Sequence, residues 1–245
     1  MKTTSISILC SLLLFTGIRL SAQNFDKDSF KTQSGKTLDI FFVKHASLIL
    51  KYDNQMIYVD PVSMFMNVEE LPKADMILIT HEHYDHFDAN AVATLKKEDS
   101  KIILNDSSQV KLKEGIVMKN GDKINFEPDI EIEAVPAYNT TPGRDIFHPK
   151  SQGNGYLLTL DGLRIYIAGD TEAIPEMQYI IHPDIAFLPV NQPYTMTVEQ
   201  AVLAAKVIKP QLLYPYHFGD TEVDEIKRVL ETEAPEIEVR IKELQ

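Results

Sequence analysis

The stretch THEHYDHFD at residues 80–88 contains three of the seven histidines of this chain. The residues before it, 74–79, are mainly apolar and branched, and they predict a short buried strand. The residues after it, 89–97, predict a helix with Asp88 as its N-cap. A loop at the carboxyl end of a strand is where functional sites tend to lie in layered α/β folds. The stretch therefore predicts a strand–loop–helix unit with a site in its loop.

The histidine spacing favours a metal site. His81 and His83 lie two positions apart in an extended segment, so both imidazoles can face one point. Asp85 and His86, beyond the turn, can face a second point close by. Imidazole and carboxylate groups bind Zn²⁺ and similar ions, and two ions about 3.5–4 Å apart can activate a shared water at neutral pH. The alternative is a histidine-rich surface turn, but the ordered pattern after an apolar strand argues against it.

Two later strands also end in a residue that can bind a metal. Asp170 follows the predicted strand at residues 163–168, in the sequence AGDT, and His217 follows the strand at 211–216, in PYHFG. An aspartate in this position can bridge two ions with its two oxygens. Two plainer roles stay open: Asp170 as a cap for residues 171–179, and His217 as a core histidine bonded to the backbone.

The first 22 residues have the pattern of a secretory signal peptide. Lys2 supplies the positive end, residues 6–18 are mainly apolar, and Ala22 is a small residue before the predicted cleavage point at Gln23. The apolar run is too short and too interrupted for a membrane span. We therefore expect an exported protein, periplasmic or secreted, without stable insertion in a membrane.

Composition excludes some functions. The formal net charge is -12, and it becomes more negative once Lys2 and Arg19 leave with the signal. Such a surface repels phosphate backbones, so nucleic acid is not an expected partner. Cys10, the only cysteine, lies in the predicted signal, so we expect no cysteine ligand or disulfide. No linker rich in Pro, Gly or Ser divides the rest, which favours a single domain over residues 23–245.

The remaining chain predicts a mixture of strands and helices. Residues 23–36 are polar and predict a loose lead-in. The loop at 61–73 either packs in the core, which we favour, or overhangs a pocket, and the long loop at 138–154 is of a kind that is often functional. Thr197 and Gln200 form a capping box. The predicted strands cover residues 38–43, 47–51, 55–60, 101–104, short segments of 115–124, 130–136, 155–160, 163–168, 184–189, 211–216 and 237–241, and the further helices cover 197–208 and 222–233.

Two segments of the chain are alike. Residues 47–60 and 156–170 both read as hairpins that end in an aspartate after an Ile-Tyr-apolar strand. A duplicated half, with two sheets packed face to face and helices outside, would produce this pattern.

The order HEHYDH, AGDT and PYHFG resembles that of metallo-β-lactamase-fold hydrolases. The nearest resemblance is to the small branch that contains ascorbate-6-phosphate lactonase, and KHAS at 44–47 and YVDP at 58–61 resemble its opening hairpin. The similarity covers about residues 38–242. It implies an α/β fold, a four-layer αββα sandwich, with the site at one edge of the sheets.

The resemblance also implies a ligand set for two metals, with one departure. The family has a further histidine where the strand at 130–136 ends, but here Ala137, Tyr138 and Asn139 follow. His148, in the long loop, is either this missing ligand or a surface or substrate-contact residue, and Asn139 is a weaker candidate. The implied ligands are His81 and His83 for the first metal, Asp85, His86 and His217 for the second, and Asp170 as the bridge.

Other residues are expected to support the site. Asp60 orients the histidine loop by accepting hydrogen bonds. His45 supports the ligands or packs in the core, which we favour over a role as a ligand, and His182 lies at the surface or in a turn. Hydrogen bonds to the substrate are expected from Tyr138, Asn139 or Tyr216.

The sequence thus predicts an exported hydrolase with a binuclear centre and a small-molecule substrate: an ester, a lactone or a phosphodiester. Asp85 and Asp170 are the expected catalytic carboxylates. Zinc suits the histidine and aspartate donors, and manganese fits the lactonase resemblance. A non-catalytic binding protein with a degraded first metal site is the main alternative, and an iron-dependent oxidoreductase is another. The substrate and the oligomeric state are not encoded in any recognisable pattern.

Overall fold

Two seven-stranded sheets face each other in the structure, a computed structural model that describes residues 24–126 and 129–244. In each sheet the spatial order of the strands follows the chain. The first sheet contains β1 (Asp26–Lys31), β2 (Thr37–Lys44), β3 (Ser47–Tyr52), β4 (Gln55–Val59), β5 (Ala74–Leu78), β6 (Lys96–Leu104) and β7 (Ile116–Val117). The second contains β8 (Lys123–Phe126), β9 (Ile130–Ala137), β10 (Gly153–Leu160), β11 (Leu163–Ile167), β12 (Ile185–Pro189), β13 (Leu212–Tyr216) and β14 (Glu238–Val239).

Short helices accompany both sheets. Four are α-helices and two are 3₁₀-helices among the described residues. The N-caps predicted for two of them are present: Asp88 accepts hydrogen bonds from the Asn90 and Ala91 N–H groups, and Thr197 forms the full capping box with Gln200. The helices are α1 (Ala89–Leu95), α2 (Asp106–Leu112), α3 (Val198–Ile208), α4 (Asp224–Glu233) and the 3₁₀-helices Val68–Glu70 and Pro175–Tyr179.

The two sheets repeat one pairing pattern. In each, the first three pairings along the sheet are antiparallel and the last three are parallel. The β3–β4 hairpin and the β10–β11 hairpin therefore occupy corresponding places in the two sheets. This confirms the duplicated architecture predicted from the two similar segments.

The main core lies between the sheets and continues under α3 and α4. Alternation along β3 shows the layering, because Leu48 and Leu50 belong to this core while Ile49 faces the opposite side with α1. The buried Tyr156 hydroxyl donates to the Ile79 carbonyl at 2.7 Å and so links the second sheet to the first. In the described part of the chain, no helix has the length and apolar character needed to cross a membrane.

Most predicted strands are confirmed, but the lead-in is not loose. Residues Asp26–Lys31 form β1, which pairs with β2 at the edge of the first sheet. Its polar composition misled the prediction, because an edge strand exposes one side to solvent. The predicted signal segment and Gln23 lie outside the described residues.

Other boundaries also differ from the prediction. The helix predicted for residues 89–97 ends at Leu95, because Lys96 already belongs to β6. α2 was not predicted, and the last strand is limited to Glu238–Val239. β7 and β8, predicted as neighbouring short strands within residues 115–124, belong to different sheets. The loop at 61–73 packs in part in the core, as favoured, since Met66 is buried there, whereas Met64 is exposed.

Asp161, in the β10–β11 turn, joins that turn to the β1–β2 turn. Its Oδ2 accepts hydrogen bonds from the Thr32 hydroxyl at 2.6 Å, the Ser34 N–H at 2.8 Å and the Ser34 hydroxyl at 2.5 Å. The bonds from Ser34 and Thr32 lower the pKa of Asp161 from 3.8 to about 2. An ionised Asp161 therefore ties the edge hairpin of the first sheet to a central hairpin of the second.

We expect the stabilising effect of Asp161 to weaken in acid. Because its folded-state pKa is below the unfolded value, the stabilisation is present above the unfolded-state pKa and is lost as the pH falls towards the folded-state pKa of about 2. Urea unfolding of the wild type and Asp161→Asn checks this: the difference between their midpoints should shrink from about pH 6 to about pH 3. Asp53→Asn, in the exposed turn of the β3–β4 hairpin, is the matched control. A difference that stays constant over this range would contradict the prediction.

Candidate metal centre

The histidine loop, residues 80–88, is held by the buried carboxylate of Asp60 at the end of β4. Asp60 accepts hydrogen bonds from the Thr80 N–H at 2.8 Å and the Thr80 hydroxyl at 2.7 Å. It also lies 2.8 Å from His86 Nδ1, so this nitrogen donates and His86 Nε2 keeps its lone pair for a metal. This is the orienting role that the sequence predicts for Asp60.

The first cluster consists of His81, His83 and His148, whose ligand atoms lie within 4.8 Å of one another. His81 Nε2 and His83 Nδ1 are 3.1 Å apart. His148 Nδ1 lies 3.0 Å from the backbone oxygen of Tyr194, so it carries the proton and leaves Nε2 free. The long loop thus brings a third histidine to the place where the strand end supplies none.

Asn139 holds this loop in position. Its side-chain Nδ2 donates to the carbonyl oxygens of Arg144 at 3.1 Å and Tyr194 at 2.7 Å. Its backbone N–H donates to the His148 carbonyl at 2.9 Å. Because the amide nitrogen is engaged in this way, Asn139 supports His148.

Glu172 fixes the start of the same loop. Its Oε2 accepts hydrogen bonds from the N–H groups of Thr140 at 2.8 Å and Thr141 at 2.7 Å. Arg144 lies 3.6 Å from its Oε1. Glu172 is fully buried, so the loop that carries His148 is anchored on a charged group inside the protein.

The second cluster consists of His45, Asp85, His86 and His217, again with ligand atoms within 4.8 Å of one another. Asp85 Oδ2 lies 3.8 Å from His217 Nε2 and 3.1 Å from His45 Nε2. The rings of His45 and His217 are in contact, with centroids 3.6 Å apart. The His217 N–H donates to the His45 carbonyl at 3.1 Å, which joins the end of β13 to the β2–β3 turn.

Asp170 lies between the two clusters. Its Oδ1 is 3.3 Å from His86 Nε2, and its Oδ2 is 3.2 Å from His148 Nε2 and 3.3 Å from His217 Nε2. The preceding Gly169 has φ +65, and a Cβ there would lie 2.7 Å from the Asn154 carbonyl oxygen. Only glycine fits this turn, which explains the Gly before Asp170 in AGDT.

The donor set fits a metal centre. Among the described residues, four buried atoms that face one another here have no hydrogen-bond partner. Leaving a buried polar atom unpaired costs about 1–3 kcal/mol, and cations would satisfy all four. The atoms are His86 Nε2, His148 Nε2, His217 Nε2 and Asp170 Oδ1.

The electrostatics prepare some ligands for a metal and leave others to release a proton when one binds. Although burial lowers the pKa values of His217 and His86, the Asp170 carboxylate raises the pKa of His217 to about 9 and that of His86 well above its usual value. Burial lowers the pKa of His81 well below its usual value, and neighbouring His86 lowers it further, so His81 is neutral. Burial alone would raise the pKa values of the two aspartates. His217 and His86 nevertheless hold the pKa of Asp170 well below the usual range, and His217 and His45 do the same for Asp85. Neutral imidazoles and ionised carboxylates are the species that bind metals.

A cavity of about 410 Å³ opens onto both clusters. Four of its lining residues were not predicted: Tyr84, Phe147, Asn191 and Tyr194. Two of them adjoin predicted ligands in the sequence, Tyr84 between His83 and Asp85 and Phe147 before His148. Asn191 and Tyr194 follow β12, which lies next to β13, the strand that His217 follows. Their position after the end of a neighbouring strand is the sequence signal that could have predicted them.

Three residues discussed in the sequence analysis lie outside the cavity and the two clusters. The Tyr138 hydroxyl bonds to Glu176 at 2.8 Å and to Lys150 at 3.1 Å, and it does not line the cavity. Tyr216 is fully buried and packs against Phe187 in the main core. His182 is exposed and away from the clusters, as expected for a surface residue.

The comparisons with known proteins agree with this geometry. Residues 39–217 match the sequence profile described as Beta-lactamase superfamily domain. A UPF0173 metal-dependent hydrolase of Archaeoglobus fulgidus is 28% identical over 229 residues, covering 83% of this chain and 95% of that relative. A solved structure from Parabacteroides distasonis, described as a metal-dependent hydrolase, has 59% identity and a TM-score of 0.88, and the match covers 90% of this chain and all of that one.

The fold extends to more distant proteins. The metallo-beta-lactamase fold protein YhfI of Bacillus subtilis matches with a TM-score of 0.65 at 15% identity, over 81% of this chain and 88% of that one. The predicted αββα sandwich is therefore confirmed.

We expect each cluster to bind one metal ion. Zinc-loaded wild type should hold two equivalents, whereas His148→Ala and His217→Ala should each lose about one, because each removes a ligand from a different cluster. Metal analysis after gel filtration measures this. His182→Ala is the matched control: His182 has φ 46 and His217 has φ 48, so both replacements place alanine in the same strained backbone region. Full metal content in the His148 variant would exclude it as a ligand.

Proposed function

The chain belongs to the beta-lactamase superfamily of metal-dependent hydrolases, and from that premise we propose that it is an exported hydrolase with a two-metal centre. Its substrate is a small-molecule ester, lactone or phosphodiester. Zinc suits the nitrogen and carboxylate donors, and manganese is the second choice. We assign the first metal to His81, His83 and His148, the second to Asp85, His86 and His217, and the bridging position to Asp170.

The unpartnered buried atoms of His86, His148, His217 and Asp170 carry this proposal. They converge in one small region, and buried polar groups without partners are rare in folded proteins. The placement of His148 also supports a complete first site. The absence of a histidine at the strand end was the feature that favoured a non-catalytic binding protein. That argument weakens if His148 supplies the third ligand from the long loop.

Asp85 is the residue that we assign to proton transfer. When bound, two metals lower the pKa of a shared water and polarise the bond to be cleaved. Asp85 lines the cavity, and its carboxylate is ionised and in contact with His45 Nε2 at 3.1 Å. The carboxylate orients the attacking water and accepts a proton from it. His45 holds the carboxylate in place, and the Asp170 carboxylate fixes the imidazoles of both clusters.

We expect Asp85→Asn to lower kcat by about 10²-fold or more, because it removes the proton acceptor. The measurement is hydrolysis of a panel of lactones, esters and phosphodiesters by zinc- or manganese-loaded protein. Metal content is determined alongside, so that loss of metal is separated from loss of proton transfer. Asp99→Asn, at an aspartate whose side chain is 79% exposed, is the control and should retain wild-type rates. A metal-saturated wild type that hydrolyses none of the three classes would favour a binding protein.

Export is the other part of the proposal, and it rests on the signal pattern in residues 1–22. Expressed with a tag at its carboxyl end in a Gram-negative host, the protein should be found in the periplasm and begin at Gln23. Intact-mass measurement of the fractionated protein determines both. A full-length mass in the cytosol would refute export without affecting the metal centre.

A further inference from the structure

We propose that the substrate is an uncharged ester or lactone that carries an aryl or similarly flat apolar group next to the scissile bond. This inference rests on the proposed function and narrows it. Tyr84, Phe147 and Tyr194 would bind the flat group at the mouth of the cavity, beside the two clusters.

The first argument is the aromatic wall of the cavity. Phe147 and Tyr194 are packed edge to face, with ring centroids 5.0 Å apart and an interplanar angle of 72°. Tyr194 is 45% exposed and Tyr84 is 78% exposed. Single exposed aromatic residues are common on protein surfaces. Three around one cavity, with buried polar ligands at its base, indicate a binding surface for a flat apolar group.

The second argument is charge. The lining residues include two carboxylates, Asp85 and Asp170, and no lysine or arginine. The two cationic side chains of the long loop at 138–154 are engaged away from the cavity. Arg144 pairs with Glu172, and Lys150 pairs with Glu176 at 2.9 Å. The proposed metal ions would act on the scissile group itself. A phosphate or carboxylate elsewhere on the substrate would find no cationic side chain in this cavity, and the acidic protein surface would repel it.

The third argument is size. The cavity volume of about 410 Å³ is near the lower end of the range for small-molecule sites, about 300–1,000 Å³. It admits one ring system together with the reacting group.

The experiment compares three γ-substituted lactones, each of which opens to a secondary alkoxide: γ-phenyl-, γ-(4-carboxyphenyl)- and γ-methyl-γ-butyrolactone. Ethyl esters that carry the same phenyl, 4-carboxyphenyl or methyl group on the acyl side are tested as well, and these share ethoxide as the leaving group. The metal-loaded full chain should have the highest kcat/KM with the phenyl compounds, by about tenfold over either alternative. Phe147→Leu and Tyr194→Leu should lower this value about three- to tenfold for the phenyl compounds and leave the methyl compounds within about twofold.

Metal content is measured for each variant, because Phe147 precedes His148 and the Tyr194 carbonyl contacts it. Tyr179→Leu is the control, since Tyr179 is 75% exposed and lies outside this cavity. Ligand-detected NMR with γ-phenyl-γ-butyrolactone provides a readout that does not require turnover, and Phe147→Leu should weaken its signal.

The outcomes distinguish the two proposals. Hydrolysis that favours the methyl or carboxyphenyl compounds, or variants that slow all compounds equally, would overturn the aryl preference and leave the hydrolase intact. Absence of hydrolysis with NMR binding that depends on Phe147 would overturn the hydrolase and support the aryl site. Absence of both would overturn the inference.

Discussion

The buried carboxylate of Asp60 is the constraint on which the site depends. It accepts two hydrogen bonds from Thr80 and one from His86, so a single charged group sets both the start of the histidine loop and the direction of a ligand ring. The group is fully buried, where an unpaired charge would be strongly destabilising. The loop conformation and the burial of Asp60 therefore require each other. The same arrangement leaves the opposite nitrogen of His86 directed at Asp170, which connects the loop to the second sheet.

The two clusters are supported in different ways. The residues of the second cluster lie on turns and loops directly attached to strands, and Asp170 follows β11 closely. His148 belongs to a long loop, and its place is set by Asn139, by Glu172 and by the Tyr194 carbonyl. Both kinds of support use buried hydrogen bonds rather than a disulfide, in agreement with a chain whose only cysteine is Cys10. The metal-binding geometry thus combines a strand-borne frame with one loop-borne ligand.

The sequence predicted the parts of this structure that depend on local pattern. Strand positions and the two N-caps follow from short-range periodicity and spacing, whereas the significance of the order of the ligand motifs came from the resemblance to metallo-β-lactamase-fold hydrolases. The sequence left His148 either as the missing ligand or as a surface or substrate-contact residue, because its position depends on a hydrogen bond to Tyr194, 46 residues away. The position of Tyr216 was equally hidden, since every residue of β13 is buried and alternation gives no indication of which face a side chain occupies. The edge strand β1 was missed because its residues are too polar to show a buried face, and they resemble those of a loop.

The repeated sheets have a mechanical consequence. The histidine loop and His45 belong to the first half of the chain, whereas His148, Asp170 and His217 belong to the second, so neither half contains a complete ligand set. The distance between the halves is set by side chains in the core between the sheets, such as Phe42 against Tyr214, with ring centroids 4.9 Å apart. Protein cores are packed closely enough to transmit a change in side-chain volume. Core size therefore sets the distance between the candidate ligands of the two halves, and a substitution far from the cavity would change the separation of His148 and His217 from the histidine loop.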